Sequence, residues 1–211
     1  MTDGCRFGIA LGTLAALLAA GCGGGGGGSS STTAGIDRGG ITIAQGPISG
    51  FGSVIVNGVH YSTSGASITI DGQPGTEADL KAGQVVRVEA TLDANGMAGV
   101  AKKIVFDDDV EGPVQAIDLA ASRLVVLGQS VQASAATSFG DSIVPRGLDG
   151  LRLGDRVEVS GLASAGGVIA ATRIERKSAV GGFEVKGVAA QVDTAARRLL
   201  VNQLQVDYSS A

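Results

Sequence analysis

The chain has no tryptophan, one histidine and two cysteines in 211 residues. Each scarcity removes a class of chemistry. A multi-histidine metal centre is excluded, and a histidine-based triad would have to be built around His60 alone. The two cysteines are Cys5 and Cys22, so nothing beyond the N-terminal segment can form a disulfide, a thiol nucleophile or a cysteine metal site. Two tyrosines and five phenylalanines are too few to make a stacking platform for single-stranded nucleic acid. The net charge is −4 and there is no basic stripe to displace counterions, which argues against nucleic-acid partners altogether. No G-x-S-x-G nucleophile elbow occurs. What remains is rich in Gly, Ala, Val, Leu and Ile, a composition suited to a compact β core with many turns.

The N-terminus departs from this background. Arg6 precedes an apolar run over residues 7 to 20. That run falls short of the roughly 20 apolar residues a membrane span requires. It has the length and the small-residue ending of an export signal, so residues 1–21 read as a signal peptide outside the fold. Ala19, Ala20 and Gly21 lead into Cys22, with Leu18 one place further back. The junction resembles the bacterial lipobox and departs from it at the usual leucine position. The resemblance implies cleavage before Cys22, lipid attachment through its sulfur and a membrane anchor. Gly23, being non-acidic, implies outer-membrane sorting within that pattern. The alternative is an ordinary secreted protein cut at a nearby small residue. Residues 22–40 read as the lipidated cysteine and a flexible Gly/Ser linker, because glycine carries the largest ordering entropy and serine adds no apolar area. The glycine run lacks the strand, helix and fixed spacing of a phosphate-binding loop.

An internal repeat decides the architecture. "LKAGQVVRVEA" at residues 80 to 90 matches "LRLGDRVEVSG" at 151 to 161. Leu80 falls on Leu151 and Gly83 on Gly154. Val86 and Val88 fall on Val157 and Val159, while Arg87 falls on Glu158. The alternation predicts a half-buried strand fed by a tight turn. Each copy runs on through a turn dipeptide, Asn95-Gly96 or Gly166-Gly167, into a return strand. There Ala101 and Ile104, like Ala171 and Ile174, are three apart, which predicts a bulge in both copies. The front halves also match: Val126 with Val201, Val131 with Val206, and Asp118 with Asp193. In the first copy the opening hairpin is about four residues shorter, and Val56, Gly58 and Tyr61 take the corresponding places.

Each unit therefore reads as five strands, with irregular crossings over residues 62–79 and 133–150. Short turns are expected near 76–83, capped by Thr76, and near 144–154. Five strands in about 65–70 residues predict a small closed barrel, OB-like in order and size. The expected fold is all-β: tandem OB-like five-stranded barrels after a disordered Gly-rich tether. Repeat 1 spans 41–108, repeat 2 spans 109–178, and a partial repeat 3 spans 179–211. The third copy holds only its opening three strands, which suggests a fragmentary chain.

"GFGSVIVNG" at 50 to 58, "DLKAGQVVRVEA" at 79 to 90, "LGDRVEVSG" at 153 to 161 and "ATRIERK" at 171 to 177 resemble the bacterial family called domain of unknown function 5666. The resemblance covers residues 46 to 108, 111 to 177 and the start of a third copy from about 183. It implies an exported lipoprotein with tandem β modules, and it carries no site residues with it.

Candidate sites are few. Asp107, Asp108, Asp109 and Glu111 form the densest charge cluster and could offer hard oxygen ligands to calcium. The calcium-loop spacing is absent, and a solvated linker between repeats is the preferred reading. His60 reads as an outward strand residue between Val59 and Tyr61. Phe51, Tyr61, Phe106, Phe139 and Phe183 read as core or seam. The sequence thus points to a cell-envelope lipoprotein with no catalytic residues and no cofactor. Its modules would act as a spacer, or bind an envelope polymer or protein, while Cys22 holds the membrane. The alternatives are a carboxylate-based hydrolase of an envelope polymer and a calcium-dependent adhesin.

Overall fold

The computed structural model describes residues 40–164, 166–178 and 182–210. The export segment, the Cys22 junction and the tether up to residue 39 lie outside the described residues.

Repeat 1 opens with three antiparallel strands, β1 (Thr42–Gly50), β2 (Val54–Val56) and β3 (Val59–Ser62). A short hairpin follows, β4 (Ser67–Ile70) and β5 (Gln73–Gly75). Two long strands, β6 (Val85–Leu92) and β7 (Ala98–Phe106), complete it. β6 pairs with β1 and β7, and β7 then pairs in parallel with β3. That last ladder closes a five-stranded barrel in the OB order.

Repeat 2 repeats the circuit. Its strands are β8 (Val110–Asp118), β9 (Arg123–Val126), β10 (Gln129–Gln132), the short β11 (Ser138–Phe139), β12 (Arg156–Ala163) and β13 (Ile169–Arg176). The parallel pairing of β10 with β13 closes it. β14 (Glu184–Val185) then pairs with β8. β15 (Ala189–Asp193), β16 (Arg198–Val201) and β17 (Leu204–Asp207) form a third, three-stranded antiparallel sheet, the opening strands of another repeat.

The alternation read from sequence builds both interiors. Val86, Val88 and Ala90 point into barrel 1 with Tyr61, Ile104 and Phe106. Val157 and Val159 point into barrel 2 with Leu124, Val126, Val131 and Ile174. The expected bulges are present. The ladder steps from Glu89–Lys103 to Ala90–Ala101, leaving Lys102 unpaired. It steps from Ser160–Arg173 to Gly161–Ala171, leaving Thr172 unpaired. The extra residue bends each return strand so that it can meet its parallel partner and close the barrel.

The turn before the long strands is strapped to the first strand in the same way in both barrels. Gly83 N–H donates to the Ile48 carbonyl and Gly154 N–H to the Val114 carbonyl, both at 2.8 Å. The short turns expected on the crossings are single 3-10 turns, Glu77–Asp79 and Leu148–Gly150. Thr76 N–H and Oγ–H both donate to the Asp79 carboxylate, at 2.9 and 2.7 Å.

The crossings are more ordered than expected. Residues 62–79 hold the β4–β5 hairpin, and β4 pairs in parallel with β7. Asp71 and Gly72 make its turn with positive φ at both positions, 47° and 74°. That is the two-residue conformation that matches strand twist. Two of the five phenylalanines also differ from expectation. Phe106 is fully buried and Phe139 packs on the core of barrel 2. Phe51 and Phe183 are exposed, because each sits in a connection outside the barrel wall.

Candidate functional site: the joint between the barrels

The barrel interiors are packed with apolar side chains. The chemistry gathers instead where repeat 1 meets repeat 2. Only Asp107, Asp108 and Asp109 separate β7 from β8, so the two barrels are in direct contact. Val85 N–H, at the start of β6, donates to Ser160 Oγ on β12 at 2.7 Å in a buried position. Arg173 Nη1 on β13 donates to the Ala82 carbonyl at 2.9 Å. Gly83 fits against the Thr172 carbonyl, where a Cβ would come to 2.7 Å.

This contact explains an asymmetry between otherwise equivalent strands. In β6 the outward Arg87 is exposed. In β12 the corresponding Glu158 is buried, and so is Ser160. Glu158 survives there because Lys177 Nζ donates to it at 2.5 Å. Burial raises the Glu158 pKa, and the Lys177 hydrogen bond and charge offset part of that rise. Burial pulls the Lys177 ammonium down, but Glu158, helped by Glu111 and Asp71, outweighs it and keeps the lysine protonated.

The acidic run is therefore not a solvated linker. Asp107 is exposed, and its carbonyl accepts from Lys186 Nζ at 2.9 Å. Asp109 turns its carboxylate onto Gly161 N–H at 2.7 Å, and its pKa is raised by burial against the pull of that bond and of Lys186. Glu111 pairs with Arg156, whose Nε and Nη2 approach one carboxylate oxygen at 2.7 and 2.6 Å. The Arg156 guanidinium also lies over the exposed Phe183 ring, 5.7 Å from its centroid, and donates to the Gly182 carbonyl. Phe183 thus covers an ion pair on the outside of barrel 2.

Asp108 is different from its neighbours. It is 1% exposed, and neither carboxylate oxygen has a hydrogen-bond partner. Its backbone N–H donates to Asp71 Oδ1 at 3.3 Å, which ties the β4–β5 turn to the joint. Desolvation is the main cause of its raised pKa. Asp71, Glu184, Glu158 and Glu111 add repulsion, and together they push it up to about 8. Burial raises the Asp71 pKa as well, against the pull of the Asp108 N–H and Lys177.

As metal ligands the four sequence candidates do not converge. Asp109 and Glu111 are committed to protein donors, and Asp107 faces solvent. Among the described residues no group of three or more His, Cys, Asp or Glu side chains is placed to hold a metal ion. His60 lies on the outer face of β3, with Nδ1 3.2 Å from Ser53 Oγ. That pair is exposed. Shallow depressions of 490 Å³ beside Phe51 and Glu77, and of 430 Å³ beside Leu119 and Asp149, occupy equivalent places in the two barrels. Neither includes the carboxylates with raised pKa values. Sequence reasoning missed Asp71, Glu158 and Lys177 as partners of the acidic run, because they come from three distant segments.

Repeat 2 is joined to the third sheet with equal economy. Lys186 N–H donates to the Asp109 carbonyl at 2.9 Å, and Asn202 Nδ2 donates to the buried Gln129 Oε1 at 3.0 Å. Asn202 occupies the turn position held by Asn57 in repeat 1. There Asn57 Nδ2 donates to the Gln45 carbonyl at 2.9 Å, and its side chain fills the space above Gly46.

No curated protein and no solved structure matches the chain. The family described as domain of unknown function (DUF5666) matches it twice, over residues 42–105 and 111–175, one match on each barrel, and the chain belongs to that family.

Proposed function

We propose that the chain is an exported, lipid-anchored envelope protein whose tandem barrels form a stiff spacer that presents a binding surface to an envelope polymer or a surface protein. The observation that carries the spacer reading is the joint. Consecutive repeats share hydrogen bonds, the Val85–Ser160 bond buried among them, and have no free linker between them, so the length spanned by the row of barrels beyond the tether is held by contact. The filled barrel interiors leave the outer walls and loops as the surface for any partner. Export and anchoring rest on the sequence alone: the apolar run, the Leu18–Cys22 junction and the glycine tether. A protein with more than one acyl chain leaves a membrane slowly, since each buried methylene contributes about 0.8 kcal/mol.

The test is expression of the full chain in a diderm bacterium with radiolabelled palmitate. The expected result is label on the wild type, recovery in the outer-membrane fraction, and loss of both in Cys22→Ala. Unlabelled wild type recovered as soluble periplasmic protein would overturn the anchor. Pull-down of isolated envelope fractions on the wild type then reads the binding role.

A further inference from the structure

We propose that Asp108 is a protonation switch in the joint between the two barrels: the joint closes on the neutral carboxyl and loosens when the carboxyl ionises. The inference does not depend on export or anchoring.

Three geometric facts carry it. Asp108 is 1% exposed with both carboxylate oxygens unpartnered. A buried charge without a hydrogen-bond partner is the most costly arrangement a fold can hold, and neutralising it is the usual escape. Asp108 also sits in the three-residue connection itself, bonded through its N–H to Asp71 of barrel 1 and close enough to Glu158 of barrel 2 to feel its charge. Finally, its charged neighbours are mostly of its own sign. Asp71 faces it from the β4–β5 turn, Glu111 from β8, Glu158 from β12 and Glu184 from β14. The cations nearby are already engaged: Lys177 on Glu158, Arg156 on Glu111, and Lys186 beside Asp109. Among the described residues no cation is therefore left to stabilise an Asp108 carboxylate in place. The physical consequence agrees with its raised pKa of about 8.

The sign follows from linkage. The folded pKa lies above the ordinary value near 4. Between that value and about 8 the folded joint holds a proton that the separated or unfolded chain has released. The joint is tightest at the acid end of this window and weakens as pH rises through it. Ionisation adds a further negative charge to the group that includes Asp71 and Glu158. Water then enters to solvate Asp108, and the contacts that hold Val85 and Ala82 against barrel 2 are the first to open.

The experiment uses the full chain and reads the Val85 amide, whose N–H crosses the joint to Ser160 Oγ. Hydrogen exchange is followed from about pH 6 to about pH 9, corrected for intrinsic exchange, in wild type and Asp108→Asn. The amide of asparagine cannot ionise and mimics the neutral acid. The expected result is a loss of Val85 protection of about tenfold or more in the wild type across that range, and a change of about twofold or less in Asp108→Asn. Equal pH dependence in the two proteins overturns the proposal. A direct reading on the wild type keeps the proposal testable if the variant does not fold. Carbon NMR of the Asp108 carboxyl should show it protonated at about pH 6, well above the ordinary carboxylate range. A carboxyl already ionised there overturns the switch. Protection of Val85 by millimolar calcium at high pH, lost in Asp108→Asn, would also overturn it and reassign the cluster to a cation.

Discussion

Replacing Gly83 and Gly154 by alanine, one at a time, separates the stability of a barrel from the stability of the joint. The two glycines hold equivalent places, three residues after Leu80 and Leu151. Both have a left-handed backbone, φ +90° and +84°. Both are anchored by the same 2.8 Å bond to the first strand. An alanine in that conformation costs about 1–2 kcal/mol, and the cost should be shared by the two variants. Their surroundings differ. A Cβ at Gly154 meets nothing within 4 Å, whereas one at Gly83 meets the Thr172 carbonyl at 2.7 Å, Arg173 Cβ at 3.1 Å and Ser138 Cβ at 3.2 Å. All three belong to barrel 2, and the closest is backbone in the bulged part of β13. Forcing a methyl into a packed contact of this kind costs about 1–3 kcal/mol. Parting the barrels instead gives up the Val85–Ser160 and Arg173–Ala82 hydrogen bonds, each worth about 1 kcal/mol net. By either route Gly83→Ala should cost about 1–3 kcal/mol more than Gly154→Ala in urea unfolding of the full chain. Since 1.4 kcal/mol is tenfold, Val85 exchange should accelerate by about fivefold or more in Gly83→Ala alone. Equal costs within about 0.5 kcal/mol, with Val85 protection unchanged, would refute a packed joint.

Other perturbations test single contacts. Arg156→Met should lose about 3–5 kcal/mol by stranding Glu111, which is 15% exposed in its side chain, and Arg156→Met with Glu111→Leu should recover most of it; no recovery would show that the pair is not the source of the loss. Phe106→Ala should cost about 3–5 kcal/mol in thermal or urea unfolding, as the ring is fully buried among Tyr61, Ile104 and the β6 valines. Asn57→Ala should cost about 1–2 kcal/mol, because it loses the bond to Gln45 and keeps a φ of +53°, while Asn57→Gly should be the milder change; a reversed order would discount the backbone contribution. Asp207 is held down to about 2 by hydrogen bonds from Ser209 and by Arg198, so its contribution to the β16–β17 hairpin is present above the ordinary carboxylate range and lost as pH falls toward 2. Amide exchange at Leu199 and Val206 on acidification should show that loss in the wild type and not in Asp207→Asn.

The inside of each barrel was legible because it repeats. Val86 and Val88 against Val157 and Val159 set the inward face, and alternation allows no other register without turning those valines to solvent. The three-residue spacing of Ala101 to Ile104 and of Ala171 to Ile174 located both bulges. The β4–β5 hairpin was also written in the chain. "SITIDGQPG" has an apolar alternation followed by Asp71-Gly72, a turn signal that the label of irregular crossing passed over. In these cases the information is local, and a window of about ten residues holds it.

The joint was not legible, and the reason is physical. An outward strand position is polar by default, and nothing in its own repeat says whether water or a neighbouring barrel will cover it. Arg87 and Glu158 are both acceptable outward residues; only the second is buried, because the joint covers β12 at that position while β6 meets the other barrel only at its start. Gly83 and Gly154 are indistinguishable by turn chemistry, yet a Cβ on the first would meet barrel 2 and one on the second would meet open space. The acidic run was misjudged for the same reason. Charge density predicts hydration when a segment stands alone, but three residues between two closed barrels have no room to stand alone. The trace that such a contact leaves is a difference between repeats. From Arg87 to Glu158 and from Glu89 to Ser160, barrel 2 has a carboxylate that pairs with Lys177 and a small hydroxyl that accepts from Val85. Where tandem repeats share one core pattern, the outward positions at which they disagree are the places to look for the contacts between them.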